Sequence, residues 1–341
     1  MNIAVIGCGF WAQYQIAAWQ EVGKSADVTL VGVCDRDAAR AEATARRFGI
    51  GWAFTQADEL LDTMRPDVVD IITTPETHEP FVLLAAERGI PVICQKPMAT
   101  DFAACERMVA ACERANVPFF IHENFRWQLP IRRVKTLLND NAIGRPFRSR
   151  LYFNTGFPVF DNQPNLRELE QFILADLGVH LLDVNRFLFG EARSLRCLTQ
   201  TIGKGVRGED VATILLETVG GMHNTIELSF ASVVPYDAFP QTLLTVEGTD
   251  GSIDLARNLA LTVTTRSGSQ TETLSLPQYD WVNPDYAVVH TSMVPCNRNF
   301  LDALTGGPDA ETTARDNLAT LRLTYAAYES ARTGETITVN Y

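Results

Sequence analysis

Three things are missing from these 341 residues: a paired-cysteine motif, a basic cluster and a membrane-length apolar run. The seven cysteines (Cys8, Cys34, Cys94, Cys105, Cys112, Cys197 and Cys296) form no CxxC pair and keep no regular spacing. Several sit in apolar, strand-like runs such as LVGVCD and IPVICQ. That placement predicts reduced, buried thiols rather than a disulfide framework. Lysine and arginine total 29 against 41 acidic residues, a formal net charge of −12. Without a basic patch, nucleic acid and anionic membrane surfaces are excluded as partners. No apolar run approaches the roughly 18 residues needed to span a bilayer. The chain opens directly on NIAVIG, which leaves no room for a charged leader and cleavage site. A cytoplasmic protein with no targeting segment is expected.

What is present is an ordinary globular composition, 46% hydrophobic and 21% charged, on a chain longer than one core usually serves. Two domains are expected, with a boundary near residue 121. In the first, residues 1–121, strand-like runs NIAVI, VTLVGVCD, VVDIIT, PVIC and PFFI alternate with helical patterns at 10–22, 37–48, 56–63, 78–89 and 101–116. Such alternation predicts a parallel sheet covered on both faces. Residues 122–341 read differently. A helix near 130–140 and the strand RSRLYF lead to an apolar helix at 175–190. The β runs SLRCLTQT, DVATILLETV, MHNTIELSFAS, QTLLTVEG, LALTVTT and TETLSL follow, with tight Gly-rich turns between them. This predicts a mostly antiparallel sheet. Helices at 285–305 and 310–332 close the chain, with Gly334 as the stop of the second. The fold class is thus an α/β domain followed by an α+β domain.

The first strand runs into GCGFWA, which is Gly7-x-Gly9-x-x-Ala12 in strand–turn–helix context. Gly7 permits the tight turn, Gly9 lets the backbone approach a pyrophosphate, and Ala12 lets the helix pack closely on the strand. Phe10 and Trp11 lie inside the turn and join the candidate cofactor contacts, with the helix N-terminus facing the anion. The second strand ends in Asp35, which can accept from both ribose hydroxyls and repels a 2′-phosphate. NAD is expected over NADP; Arg36, a possible phosphate partner, is the counter-signal. A second cofactor contact is expected at ITTPETHEP, through Thr73, Thr74 and Pro75. His78 opens the next helix, as a cofactor contact or as a packed helix-start residue.

Lys96 lies in CQKPMAT, at the carboxyl end of the strand PVIC, the edge where open α/β sheets bind ligands. There it could polarise or deprotonate a substrate hydroxyl. In ADLGVHLLDVNRFLFG, Asp176, His180 and Asp183 fall at i, i+4 and i+7, one helical face within an otherwise apolar segment. That face could be the roof of a pocket, a metal site, or a buried network that only fixes the domains. The segment HENFRWQLP adds Glu123 and Trp127 as pocket candidates; its His-Glu pair does not continue to HExxH, which excludes a zincin. Residues 155–170, TGFPVFDNQPNLRELE, form a long connection of the kind that serves as a lid or a surface excursion.

GCGFWA, TPETHEP, QKP and DLGVHLLD, in this order, together resemble the Gfo/Idh/MocA oxidoreductases. The resemblance spans nearly the whole chain. It implies a Rossmann domain, a C-terminal open-faced sheet and a nicotinamide cofactor. It also implies that Lys96, Asp176 and His180 are the catalytic triad; Asp183, by its place on the helix, reads as structural, a partner for the second-domain backbone. Asn124 and Arg126 match the family's N-x-R pattern and are implied substrate contacts. One departure is Gln95, where the family usually has glutamate before Lys-Pro; it keeps the hydrogen-bonding shape but removes a negative charge from a cofactor contact. QFIL also replaces the glycine-rich lead-in to the aspartate. The implied activity is hydride transfer between NAD and a secondary alcohol or ketone of a sugar, inositol or related polyol, by a homodimer or homotetramer with no metal. Two alternatives stand beside it. One is a non-redox enzyme using bound NAD transiently in elimination or glycoside cleavage; the other is a non-catalytic NAD- or sugar-binding regulator.

Overall fold

The computed structural model describes residues 1–235 and 242–341. The chain divides into two compact units. One comprises Met1–Asn124, Tyr279–Val282 and His290–Leu318; the other comprises Phe125–Gln278, Asn283–Val289 and Ala319–Tyr341.

The first unit is built on β1 (Asn2–Ile6), α1 (Ala12–Gly23), β2 (Thr29–Cys34), α2 (Ala38–Phe48), β3 (Ala53–Phe54) and α3 (Ala57–Met64). It continues with β4 (Val68–Ile71), α4 (His78–Glu87), β5 (Val92–Gln95), α5 (Phe102–Ala115) and β6 (Phe119–His122). The strands pair in parallel in the order β3-β2-β1-β4-β5-β6. Every residue of β4, β5 and β6 is buried, as the unbroken apolar runs require of strands covered on both faces. Two-residue β3 is too short to leave a sequence pattern. Local chemistry sets the helix ends. Asp37 and Asp101 accept from the amides of Arg40 and Ala104, and Gly49 and Asn116 close α2 and α5 in the left-handed region. Each such cap stabilises by about 1 kcal/mol. The sheet order reverses at β1, so the carboxyl ends of β1 and β4 flank the crevice where open α/β sheets bind ligands.

The second unit holds α6 (Leu129–Asn139), β7 (Pro146–Asn154), α7 (Val159–Asn162), a π turn (Leu174–Gly178) and α8 (Val179–Phe189). Its remaining strands are β8 (Ala192–Gln200), β9 (Val211–Thr218), β10 (His223–Ser229), β11 (Leu243–Gly248), β12 (Gly251–Leu255), β13 (Ala260–Thr265), β14 (Gly268–Thr273) and β15 (Ile337–Thr338). Among the described residues they form one sheet, ordered β14-β13-β12-β11-β7-β10-β9-β8-β15. All pairs are antiparallel except β7 with β10. Strict alternation marks a sheet with one covered face: Ile214, Leu216, Ile226 and Leu228 are buried, whereas Leu198 and Leu215 stand exposed. Gln241, the first residue of the expected strand QTLLTVEG, lies outside the described residues.

The long helices α9 (Ala287–Leu304) and α10 (Ala314–Thr333) contribute residues to both units. Gly334 ends α10 as expected, at φ +73° with its amide on the Ser330 carbonyl. The expected fold class, a parallel Rossmann sheet plus a mostly antiparallel C-terminal sheet, is what the chain adopts.

Candidate active site

In the first unit, β1 delivers the chain into a turn that only glycine can make. Gly7 sits at φ +103°, and a Cβ there would lie 2.4 Å from the Ile72 carbonyl oxygen. A Cβ on Gly9 would meet nothing within 4 Å, so its backbone faces open space of the kind a pyrophosphate fills. No side chain caps α1, and the Tyr14 amide donates to the Trp11 carbonyl, which leaves the amides of Ala12 and Gln13 for an anion. Ala12 is buried, Trp11 half-buried and Phe10 exposed beside the turn. Asp35 follows β2 and turns back to the glycines: its carboxylate accepts from the amides of Cys8 at 2.9 Å and Asp37 at 3.0 Å. A cavity of about 560 Å³ opens beside it, lined in part by Gly9, Phe10, Arg40 and Arg47. These features fit a dinucleotide. Arg36 is exposed, and the arginine that neighbours Asp35 is Arg40, 3.7 Å away. Its position one turn into α2, behind the Asp37 cap, is the sequence signal that could have found it.

Thr73, Thr74 and Pro75 form the loop after β4, where the Thr77 hydroxyl donates to the Thr74 carbonyl and lies 2.8 Å from the Thr73 hydroxyl, which can donate to it. His78 is buried. Its Nδ1 lies 3.2 and 3.1 Å from the carbonyls of Pro97 and Met98, and its Nε2 lies 3.2 Å from that of Thr73. The imidazole therefore ties the Thr73 loop to the Lys96 segment, and burial pushes its pKa down. Lys96 is half-buried directly after β5, and its peptide bond to Pro97 is cis. Gln95 is buried and donates through Nε2 to Gln15 Oε1. At the end of β6, Glu123 and Asn124 are buried, with Asn124 Nδ2 donating to the Ser292 hydroxyl at 2.9 Å. His290, which no sequence pattern marks, stacks on Tyr14 at 3.8 Å, and burial pushes it down to about 4.

In the second unit the charged stripe does not lie on one regular α-helix. The Val179 amide donates to the Leu174 carbonyl, five residues back, so the segment begins as a π turn rather than a regular helix. Such turns recur at functional sites. Asp176 lies within it, half-buried. His180 is buried and lies flat on Phe125, ring centroids 3.8 Å apart and planes 3° from parallel. Asp183 takes a two-pronged hydrogen bond from Arg126, with Nε at 2.7 Å, and a third from the Thr320 hydroxyl at 3.0 Å. The side chains of Arg126 and Thr320 are thus among the partners that hold Asp183. A guanidinium presents paired donors that match a carboxylate's geometry. The Trp127 ring lies under the Arg132 guanidinium at 3.4 Å. Residues 155–170 carry their own helical turns and are anchored by Phe157 and Asn162 on Tyr286. Among the described residues no group of three His, Cys, Asp or Glu could hold a metal ion.

Two family models divide the chain in the same sense. Residues 1–123 match the oxidoreductase family with an NAD-binding Rossmann fold, and residues 131–254 match the GFO/IDH/MocA C-terminal domain. The chain belongs to the Gfo/Idh/MocA oxidoreductase family. A D-apiose dehydrogenase from Paraburkholderia graminis is 41% identical over 334 residues, covering 98% of this chain and 88% of that protein. A D-apiose dehydrogenase from Rhizobium rhizogenes is 39% identical over 336 residues, covering 98% and 96%. Among solved structures, an oxidoreductase from Agrobacterium radiobacter in complex with NAD⁺, L-tartaric acid and magnesium has a TM-score of 0.96 and 38% identity, covering 99% of this chain and 98% of that one. The expected NAD-dependent dehydrogenase is borne out: this family member is an NAD-dependent oxidoreductase.

Proposed function

We propose that the chain oxidises a secondary hydroxyl of a small sugar, with D-apiose the first substrate to test. The observation that carries this reading is the identity to two D-apiose dehydrogenases along nearly the whole chain. Residues 1–121 serve as the cofactor domain and 122–341 as the substrate domain. NAD supplies the hydride acceptor. The glycine turn and the start of α1 hold its pyrophosphate, Asp35 its ribose hydroxyls, and Thr73, Thr74, Pro75 and Gln95 add contacts further along. His78 supports these contacts by joining the two loops that present them.

Lys96 donates to the substrate oxygen and stabilises charge building there as the C–H bond breaks. His180 takes the hydroxyl proton; its ring is buried and flat on Phe125, so few orientations are open to it. Asp176 orients the substrate or the imidazole. Proton transfer of this kind contributes about 10²–10⁴-fold in rate. Glu123, Asn124 and Trp127 complete the substrate contacts. Arg126 acts by holding Asp183 and with it the helix that carries His180. The apolar residues on the exposed sheet face, Leu198 and Leu215 among them, support a homodimer or homotetramer. The seven buried cysteines, none of them in a disulfide, support a cytoplasmic location.

The test is absorbance at 340 nm with NAD⁺ against D-apiose and a panel of sugars, inositols and sugar acids. Wild type runs beside Lys96→Ala and His180→Ala. NADH formation with one sugar, lost at least 100-fold in both variants while NADH binding persists, supports the reading. Tight NADH binding with no turnover of any panel member overturns it in favour of a non-redox or regulatory role. Light scattering that shows a monomer at micromolar concentration removes the oligomer.

A further inference from the structure

Asp70 on β4 is fully buried beneath the dinucleotide turn, and neutral groups meet it. Gln15 Nε2 donates to its two oxygens at 2.8 and 2.7 Å, and Trp19 Nε1 donates to one of them at 2.8 Å. A carboxylate held only by neutral donors is costly to bury, so its position calls for a reason. The hydrogen bonds run onward from it. The indole N–H can only donate and the carboxylate can only accept, so Gln15 must turn its NH₂ to Asp70. Its Oε1 is then left for Gln95, whose NH₂ donates to it. Gln95 Oε1 is left in turn to accept from the Lys96 backbone amide, at 3.3 Å.

We infer that Asp70 is a positioning residue: through Gln15 and Gln95 it sets the polarity of a hydrogen-bond chain that ends on the backbone of Lys96. Reversing either amide would turn the Gln95 NH₂ toward the Lys96 N–H, donor against donor. Glutamine at 95 suits this arrangement, because an ionised glutamate there has no donor to give Gln15. The chain also couples Lys96 to the protonation of Asp70. Burial pushes Asp70 up to about 7, against the pull of Trp19 and Gln15. The groups facing it are Gln15 and Trp19 from α1 and Cys94 from β5, whose thiol burial and the Asp70 charge both push up; its strand partners, Val5 and Ile93, are apolar. A protonated Asp70 can donate to Gln15 and so release the reversal. The consequence for turnover rests on the role of Lys96 proposed above.

The experiment uses Asp70→Asn and the double variant Asp70→Asn/Gln15→Glu, both near-isosteric. In the single variant Trp19 claims the amide oxygen introduced at position 70, the new NH₂ faces Gln15, and the chain reverses. In the double variant the carboxylate introduced at position 15 accepts from both that new NH₂ and Gln95, which restores the original direction with the charge one step along. Two readouts are taken above neutral pH: NMR in glutamine-¹⁵N protein for proximity of the Gln95 NH₂ to the Lys96 amide proton, and kcat and KM with D-apiose and NAD⁺. The signal is expected to be weak in wild type, strong in Asp70→Asn and weak again in the double variant. In step, kcat should fall about tenfold and recover, with KM for NAD⁺ little changed, as the loss of one oriented hydrogen bond implies. The same signal in all three proteins, or equal damage without recovery, overturns the inference. Should Asp70→Asn not fold, the wild-type signal above neutral pH decides alone: a weak Gln95 NH₂ to Lys96 amide signal supports the inference and a strong one overturns it. Should D-apiose not be oxidised, the NMR arm still decides the hydrogen-bond chain, so its failure and that of the proposed substrate are told apart.

Discussion

Tyr328 donates its phenol proton to Glu209 at 2.8 Å and accepts from the backbone amide of Ala175 at 3.1 Å. Glu209 also accepts from the amides of Phe172 and Leu174, at 3.1 and 3.2 Å. Together the two side chains clamp the backbone at the start of the π turn, one residue before Asp176. The clamp explains how an irregular turn persists at the head of a buried helix: its unpaired amides are satisfied by side chains from β9's lead-in and from α10. Burial and the Glu209 charge both push the Tyr328 phenol up, so it stays a donor across the working pH range. Tyr328→Phe removes the donor to Glu209 and the acceptor for Ala175 together. The expected result is a stability loss of about 1–3 kcal/mol. With it should come a fall in kcat without a matching rise in KM for NAD⁺. Thermal melts and steady-state kinetics check this; an unchanged kcat would detach the clamp from catalysis.

That clamp also shows where reading the sequence stops. The glycine turn, Asp35 and the strand–helix alternation were legible because each depends on residues close in the chain. Lys96 was legible because a strand end is a local pattern. The position of Glu209 was not, since it acts 35 residues from Leu174 and nothing near it in the chain reports that. Helical periodicity put Asp176, His180 and Asp183 on one face because it assumes one continuous α-helix. The π turn breaks that assumption, and Arg126, 57 residues away, draws Asp183 into a buried pair. Arg36 was the expected neighbour of Asp35 by adjacency, whereas the geometry of α2 brings Arg40. Gln95 read as a departure from a family pattern; only the fold shows that it is one member of a chain with Gln15 and Asp70.

The Arg126–Asp183 pair should behave as a buried ion pair that is costly to break and of small net worth when removed whole. Both side chains are buried, and Thr320 takes one of the remaining acceptor sites. Asp183→Asn or Arg126→Gln breaks this buried pair, which costs about 3–5 kcal/mol; in the second variant Arg186, 4.0 Å from the Asp183 carboxylate, remains beside it. Replacing both with apolar residues of similar volume should cost less than either single change. Urea unfolding of the four proteins measures this, and additive losses would show that the two side chains act independently.

Asp35 should set the cofactor preference by charge. Its carboxylate is held by the amides of Cys8 and Asp37, with Arg40 3.7 Å away. Asp35→Ser removes the anion that repels a 2′-phosphate and frees Arg40 to meet one. The ratio of kcat/KM for NAD⁺ to that for NADP⁺ should fall by about tenfold or more, the equivalent of one charged contact. Initial rates with both cofactors on one substrate decide it. A ratio that stays fixed would move discrimination elsewhere in the cavity.

Asp70 should also leave a mark on stability against pH, separate from any effect on turnover. Burial raises its folded pKa from the ordinary 3.8 to about 7. Between these values the unfolded chain carries Asp70 ionised while the folded chain holds it protonated, so folding takes up a proton. The contribution of this group is therefore fully present below about pH 4, is lost as pH rises toward 7, and is flat beyond. Over that window the loss is on the order of 4 kcal/mol, from 1.36 kcal/mol for each pKa unit. Asp70→Asn cannot titrate there. Its stability relative to wild type should improve steadily from pH 4 to pH 7, whatever the fixed cost of the altered hydrogen bonds. Denaturant unfolding of both proteins at several pH values isolates the slope from that offset. Parallel stability curves would mean that Asp70 is ionised in the folded protein throughout, held by Gln15 and Trp19 against the cost of burial.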